Sequence, residues 1–167
     1  MKIGSAHLLL AVLIAAVGLS ACERVDQGVG SPSAERISLA EYENYKDFGD
    51  YVLHVNALGT NQLPPEVAQL AGIVRSDNRG MLNVVILKKL EAQEDQPWAG
   101  AVKVAAANLV GQYRSINMRK VTEQDAIYYI GEFAVSNQET LVFDIDVVPE
   151  NETRRLAVRF TKQFYTK

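Results

Sequence analysis

The stretch Leu141-Val142-Phe143-Asp144-Ile145-Asp146-Val147 sets Leu141, Phe143, Ile145 and Val147 on one period and Val142, Asp144 and Asp146 on the other. Side chains of an extended chain point alternately to opposite faces, so this segment can bury one face and wet the other only as a strand. The same period recurs along most of the second half of the chain and in two earlier segments. Tyr51, Leu53, Val55 and Ala57 alternate with Val52, His54 and Asn56, and Leu82, Val84 and Ile86 with Met81, Val85 and Leu87. Val102, Val104 and Ala106 follow, then Tyr113–Val121, then Ile127, Tyr129, Gly131, Phe133 and Val135, and finally Leu156, Val158, Phe160 and Phe164. Alternation of this length describes half-buried antiparallel strands, not the continuous apolar runs of a parallel sheet.

Turn-forming clusters divide these segments: Ser76-Asp77-Asn78-Arg79-Gly80, Asn108-Leu109-Val110-Gly111-Gln112, Thr122-Glu123-Gln124-Asp125, Ser136-Asn137-Gln138 and Pro149-Glu150-Asn151-Glu152. About seven short strands at this spacing predict a mostly β fold, an immunoglobulin-like antiparallel β-sandwich. One short helix interrupts it at Leu63-Pro64-Pro65-Glu66-Val67-Ala68-Gln69-Leu70-Ala71-Gly72, with proline and glutamate in the first turn and glycine at the exit. Val67, Leu70 and Ala71 are expected to face the sandwich, with the helix plugging one open end.

The first 21 residues stand apart. Met1-Lys2 precedes the apolar run Leu8–Leu19, too short for a spanning helix and suited to a secretory signal core. It ends in Leu19-Ser20-Ala21-Cys22, which resembles the bacterial lipobox. That resemblance implies cleavage before Cys22 and acylation of its thiol and new amino group, an anchor made stable by more than one acyl chain. Glu23 is not the aspartate that retains such proteins in the inner membrane, so the periplasmic face of the outer membrane is the expected site. Residues 22–40 read as a lipidated flexible tether, rich in glycine and serine around Pro32, and residues 41–167 as the sandwich.

Composition then narrows the chemistry. Losing the leader removes only Lys2 among charged residues, moving the formal net charge from −3 to −4. The mature chain keeps one histidine, His54, and one cysteine, Cys22. A disulfide within the chain, a multi-histidine metal site and a cysteine-built zinc site are therefore excluded, and no cofactor is expected. An acidic balance without a basic cluster argues against nucleic acid.

Six segments carry a resemblance to a family. Phe48–Leu58, Leu63–Ala68, Asn108–Gln112, Ala126–Ile130, Glu139–Phe143 and Gln163–Tyr165 are similar, in order, to signatures of domain-of-unknown-function family 4426. The resemblance runs over about Tyr45 to Tyr165. It implies a small exported protein of Gram-negative bacteria and supplies no catalytic residue.

Candidate sites follow from the strand faces. Tyr128 and Tyr129 are adjacent and must point oppositely, so one of them leaves the core with Ile130, and the sequence leaves open which; Tyr128, Ile130, Tyr51 and Phe48 form the candidate contact surface for a partner. His54 and Asn56 share a face opposite the Tyr51 stripe and form a candidate polar site. No nucleophile-elbow sequence accompanies His54. Asp144 and Asp146 share a face where Arg155 and Arg159 can reach them, so a solvated ion-pair face is expected instead of a metal site.

The resulting expectation is a non-catalytic lipoprotein facing the periplasm, bound to the membrane through Cys22, that binds an envelope protein or serves envelope assembly. Two other readings stay open. One is a carrier of a small apolar ligand, with a cavity lined by residues such as Leu70, Phe133 and Phe143 between the sheets or beneath the helix. The other is a His54-dependent hydrolase.

Overall fold

The computed structural model describes residues 36–39 and 43–166; the leader, Cys22 and the first part of the tether lie outside the described residues. In chain order the elements are β1 (Ile37–Ser38), β2 (Tyr45–Asp47), β3 (Tyr51–Gly59), α1 (Pro65–Leu70), β4 (Arg79–Lys88), β5 (Gln96–Pro97) and β6 (Gly100–Asn108). They continue with β7 (Tyr113–Ile116), β8 (Arg119–Glu123), β9 (Ala126–Ala134), β10 (Thr140–Pro149) and β11 (Leu156–Gln163).

The strands form two sheets, ordered β1-β11-β10-β6-β7 and β2-β3-β4-β9-β8, with β5 pairing on β4. Every pairing is antiparallel except that of β1 with β11. In immunoglobulin lettering β3, β4, β9 and β8 are strands A, B, E and D, and β11, β10, β6 and β7 are G, F, C and C′. The protein is an immunoglobulin-like β-sandwich without the inter-sheet disulfide.

The alternating stripes meet between the sheets. Leu53, Val55, Leu82, Val84 and Ile86 from one sheet pack on Leu141, Phe143, Ile145, Leu156 and Val158 from the other. At one end Phe164, beyond β11, sets its ring edge-on to Phe133 of β9 at 5.5 Å between centroids. At the opposite end Tyr129 of β9 reaches Gly100 of β6. Gly100 is required there: a Cβ would lie 2.7 Å from the Val148 carbonyl oxygen.

Three expectations are corrected. Tyr113–Val121 is not one strand: β7 pairs with β6 in one sheet and β8 with β9 in the other, the chain crossing at Asn117-Met118. Ile116 and Met118 pack against Gly131, where a Cβ would come within 2.5 Å of both. Glycine at 131 therefore leaves room for the crossing, which alternation alone does not reveal.

Secondly, the fold begins before residue 41. Ile37 and Ser38 pair with Val158 and Arg159, and Leu39 is buried in the main core. Arg36 holds this strand down, its guanidinium 3.0 Å from the Asp146 carboxylate.

Thirdly, α1 does not plug an end of the sandwich. It lies in the connection between β3 and β4 and covers part of the outer face of the β3-β4-β9-β8 sheet. Thr60 is fully buried and closes that connection, its Oγ1 accepting from the Ser76 N–H at 2.9 Å and donating to the Ser76 carbonyl at 3.2 Å. Ala68, not Val67 or Leu70, is the buried helix residue; Leu70 is 77% exposed.

Candidate functional site

The outer face of the β3-β4-β9-β8 sheet carries the residues that the alternation sends away from the main core. Register sets them in rows. Leu58 lies opposite Met81, and Asn56 opposite Asn83, which in turn faces Ile130 and then Arg119. His54 lies opposite Tyr45 on one side and Val85 on the other.

A second, smaller apolar cluster forms here. Ala68 of α1 and Ile73 pack on Met81 and Ile130, with Leu58, Leu63, Ala71, Val121 and Tyr128 around them. Arg119 of β8 donates to the Ala71 carbonyl and ties the helix exit to the sheet edge. The helix is too short to cover the whole face. A recess of ≈ 360 Å³ remains beside it, with Leu63, Val67, Leu70, Val121 and Tyr128 among its walls. Its polar lining is Asn56, Asn83 and Glu123.

The Asn83 side-chain oxygen is buried and has no hydrogen-bond partner among the described residues. A buried carbonyl oxygen in this condition loses its hydration without compensation, a cost of about 1–3 kcal/mol. The recess is thus mainly apolar, with Asn56, Asn83 and Glu123 as its polar lining and the Asn83 oxygen sealed beneath the surface.

The predicted site residues separate. Tyr128 and Ile130 are brought together on the outer face, and Asn56 joins them in the recess. Ile130 is buried beneath the helix region and so forms floor, not free surface. Phe48 and Tyr51 do not belong to this surface. Tyr51 is 4% exposed inside the main core, and Phe48 packs against that core. The reason is parity: Tyr51 shares the inward phase of Leu53 and Val55, and its hydroxyl escapes to the end of the sandwich, donating to Glu152 at 3.1 Å. Burial and that hydrogen bond to the Glu152 carboxylate together hold the phenol above its usual range.

His54 is half-buried one row from Asn56, under the Tyr45 ring at 5.7 Å between centroids. Asp144 and Asp146 lie on the outer face of the other sheet with Arg159 at 2.8 Å from Asp144 and Arg155 at 3.8 Å from Asp146. Arg36, which the sequence reading left in the tether, bridges both carboxylates. The hydrogen bond from Arg159, aided by the charge of Arg36, holds the Asp144 carboxyl below its usual range against the opposing effect of burial. Among the described residues no group of three or more His, Cys, Asp or Glu side chains is placed to hold a metal ion.

Among the described residues the interior between the sheets is packed by Phe133, Phe143, Phe160 and Phe164; of Leu70, Phe133 and Phe143, it is Leu70 that lines the recess beside α1. Sequence reading missed Asn83, Leu58, Met81 and Val121 as lining. The signal was present in their shared outward parity, but only the cross-strand order places them side by side.

Strand order and core define the protein as an immunoglobulin-like sandwich with a helix-covered outer face. It belongs to the DUF4426 family, a domain of unknown function, which matches residues 45–167. A crystal structure of a DUF4426 family protein (PA0388) from Pseudomonas aeruginosa PAO1 is 33% identical, with a TM-score of 0.62 over 74% of this chain and 94% of that one. A copper-bound variant of FetP from uropathogenic Escherichia coli has a TM-score of 0.52 at 10% identity, covering 74% of this chain and 95% of that one, a likeness of fold alone. No curated protein matches the chain.

Proposed function

We propose that this protein is a non-catalytic binding module, anchored by acylated Cys22 to the periplasmic face of the outer membrane, that holds an apolar segment of an envelope protein in the recess beside α1. The observation that carries the binding reading is the recess itself, apolar over most of its wall with Asn56, Asn83 and Glu123 as polar lining. An aliphatic or aromatic side chain would fill the apolar part, and the backbone beside it would meet the polar lining at Asn56 and Glu123. The anchoring reading rests on Leu19-Ser20-Ala21-Cys22 after an apolar leader. Against the hydrolase reading, His54 sits under Tyr45 and is not among the recess residues.

A photo-cross-linking residue in place of Leu70, on the lip of the recess, tests this in cells, with Lys103 on the outer face of the other sheet as control. A discrete protein adduct from position 70 and none from position 103 is expected, and Val121→Asp should abolish it. Identical adducts from both positions would overturn the assigned surface.

The size of the recess favours one second reading. Ligand pockets range over roughly 300–1,000 Å³, and ≈ 360 Å³ falls at the lower end, which suits a small apolar molecule. Native mass spectrometry of the protein from its own envelope would then show a bound species of constant mass that Val121→Asp removes.

A further inference from the structure

The end of the sandwich where Phe164 meets Phe133 exposes apolar side chains for which neither the core nor the recess accounts. The hairpin joining β6 and β7 is a tight turn, the Gly111 N–H donating to the Asn108 carbonyl at 3.0 Å and Gly111 adopting φ +80°. A turn of this type places Leu109 and Val110 at its two central positions, where polar residues and proline are usual. Leu109 is 76% exposed and Val110 80%. The turn is stiff: the Asn108 side-chain oxygen accepts from the Gln112 N–H at 3.0 Å, and its amide donates to the Gln112 side chain at 2.8 Å. These amides satisfy each other and leave the tip itself purely aliphatic.

Two tyrosines flank the tip at the same end. Tyr113 begins β7 and Tyr165 follows β11, and both are largely exposed. β6 and β11 are separated by β10 alone, so tip and Tyr165 lie roughly 10 Å apart laterally at ~4.8 Å per strand. Charge is distributed unevenly as well. At the opposite end Asp50, Glu91, Glu94, Asp95 and Glu150 are exposed, against an exposed Arg154 and an Asp47 that is paired with Lys89. At the tip end Glu139 is paired with Arg114 at 2.6 Å and Glu132 with Arg79 at 3.4 Å, Asp77 is exposed and accepts from Asn61 at 2.7 Å, and Lys162 and Arg75 are exposed.

Aliphatic side chains on a stiff turn, tyrosines behind them, exposed cations at the same end and most of the exposed acids at the far end are the complement of an anionic bilayer surface. Hydrocarbon receives the tip, the headgroup zone receives the tyrosine rings, and the lipid phosphates meet the cations. We infer that this end of the sandwich docks on a phospholipid bilayer, with Leu109 and Val110 inserted between the headgroups. The inference does not depend on the recess or on its occupant. It is compatible with an anchor at Cys22, because the stretch from Cys22 to Arg36 reaches roughly 50 Å when extended at ~3.5 Å per residue, more than the ~30 Å length of the longer strands.

The test uses the full-length protein with vesicles of phosphatidylethanolamine and phosphatidylglycerol. Trp98, the only tryptophan, stands at the acidic end and reports a position away from lipid. Leu109→Trp should add an emission component that shifts to shorter wavelength on vesicles and is quenched by bromine placed high on the acyl chains, while Trp98 in the unsubstituted protein is not quenched. Adding Val110→Asp to Leu109→Trp should abolish both effects with circular dichroism unchanged. Emission at position 109 that stays at the water-exposed wavelength on vesicles would overturn the inference. So would a shift that needs added envelope proteins and shows no bromine quenching, which would assign the tip to a protein partner.

Discussion

The phenolic oxygen of Tyr129 accepts a hydrogen bond from the Gly100 N–H at 2.7 Å, and this bond ties β9 of one sheet to β6 of the other. Tyr128, its neighbour, points to the opposite face and lines the recess. One inter-sheet contact therefore decides which tyrosine belongs to the fold and which to the candidate site. Tyr129→Phe would strand the Gly100 N–H and should cost about 1–2 kcal/mol in chemical denaturation. Tyr128→Phe should leave stability within about 0.5 kcal/mol.

Gly131 makes room for the chain as it changes sheets between β7 and β8. Gly131→Ala should destabilise by about 1–3 kcal/mol through overpacking against Ile116 and Met118. If that contact is the cause, combining it with Met118→Ala should cost less than the two single changes added together, which a double-mutant cycle on thermal midpoints will detect.

Asp144 titrates below its ordinary value in the folded state, chiefly through Arg159. Its ion pairing then stabilises the fold above the unfolded carboxyl value of about 3.9 and is lost as pH falls through the lowered folded value. Asp144→Asn should flatten this acid limb in urea midpoints measured between neutral pH and about pH 3, and should lower stability near neutrality. An unaltered acid limb would contradict the assignment.

Tyr51 moves the other way. Burial foremost, then the hydrogen bond to Glu152, favours its neutral phenol. The folded value lies above the unfolded value of about 10, so the contribution is complete below that pH and disappears as pH rises through the folded value. In a tyrosinate absorbance titration, Tyr51→Phe should remove a component that titrates late. Glu152→Gln should bring that component only part of the way down, because burial is the larger cause.

Cys22→Ser should abolish incorporation of a labelled fatty acid and move the protein from the membrane to the soluble periplasmic fraction. Acyl label retained on the serine variant would remove the basis for the anchor.

Much of the fold was legible because period two is a direct consequence of strand geometry. Leu141, Phe143, Ile145 and Val147 all point inward, as do Leu53, Val55, Leu82, Val84 and Ile86. The site was legible only in part. Adjacency alone sends one of Tyr128 and Tyr129 outward without saying which, and the neighbours Leu58, Met81 and Asn83 come from β3 and β4, since parity carries no information on which strands are adjacent. Tyr51 was misplaced because an aromatic residue at a strand start can serve a surface or a core equally well until its strand has partners.

Alternation and turn chemistry determined by themselves that this chain builds an antiparallel sandwich and which phase of its long strands faces the main core. These properties are local, set by the backbone's two-residue period and by the preference of apolar side chains to leave water. Only the tertiary structure decided that residues 113–121 divide between two sheets, that Arg36 to Leu39 join the fold, and that α1 lies on an outer face with a recess beside it. Each of these depends on contacts between residues far apart in sequence: Gly131 with Met118, Arg36 with Asp146, Ala68 with Ile130. Such contacts exist only after the chain has closed on itself, because their energies belong to pairs and not to any segment.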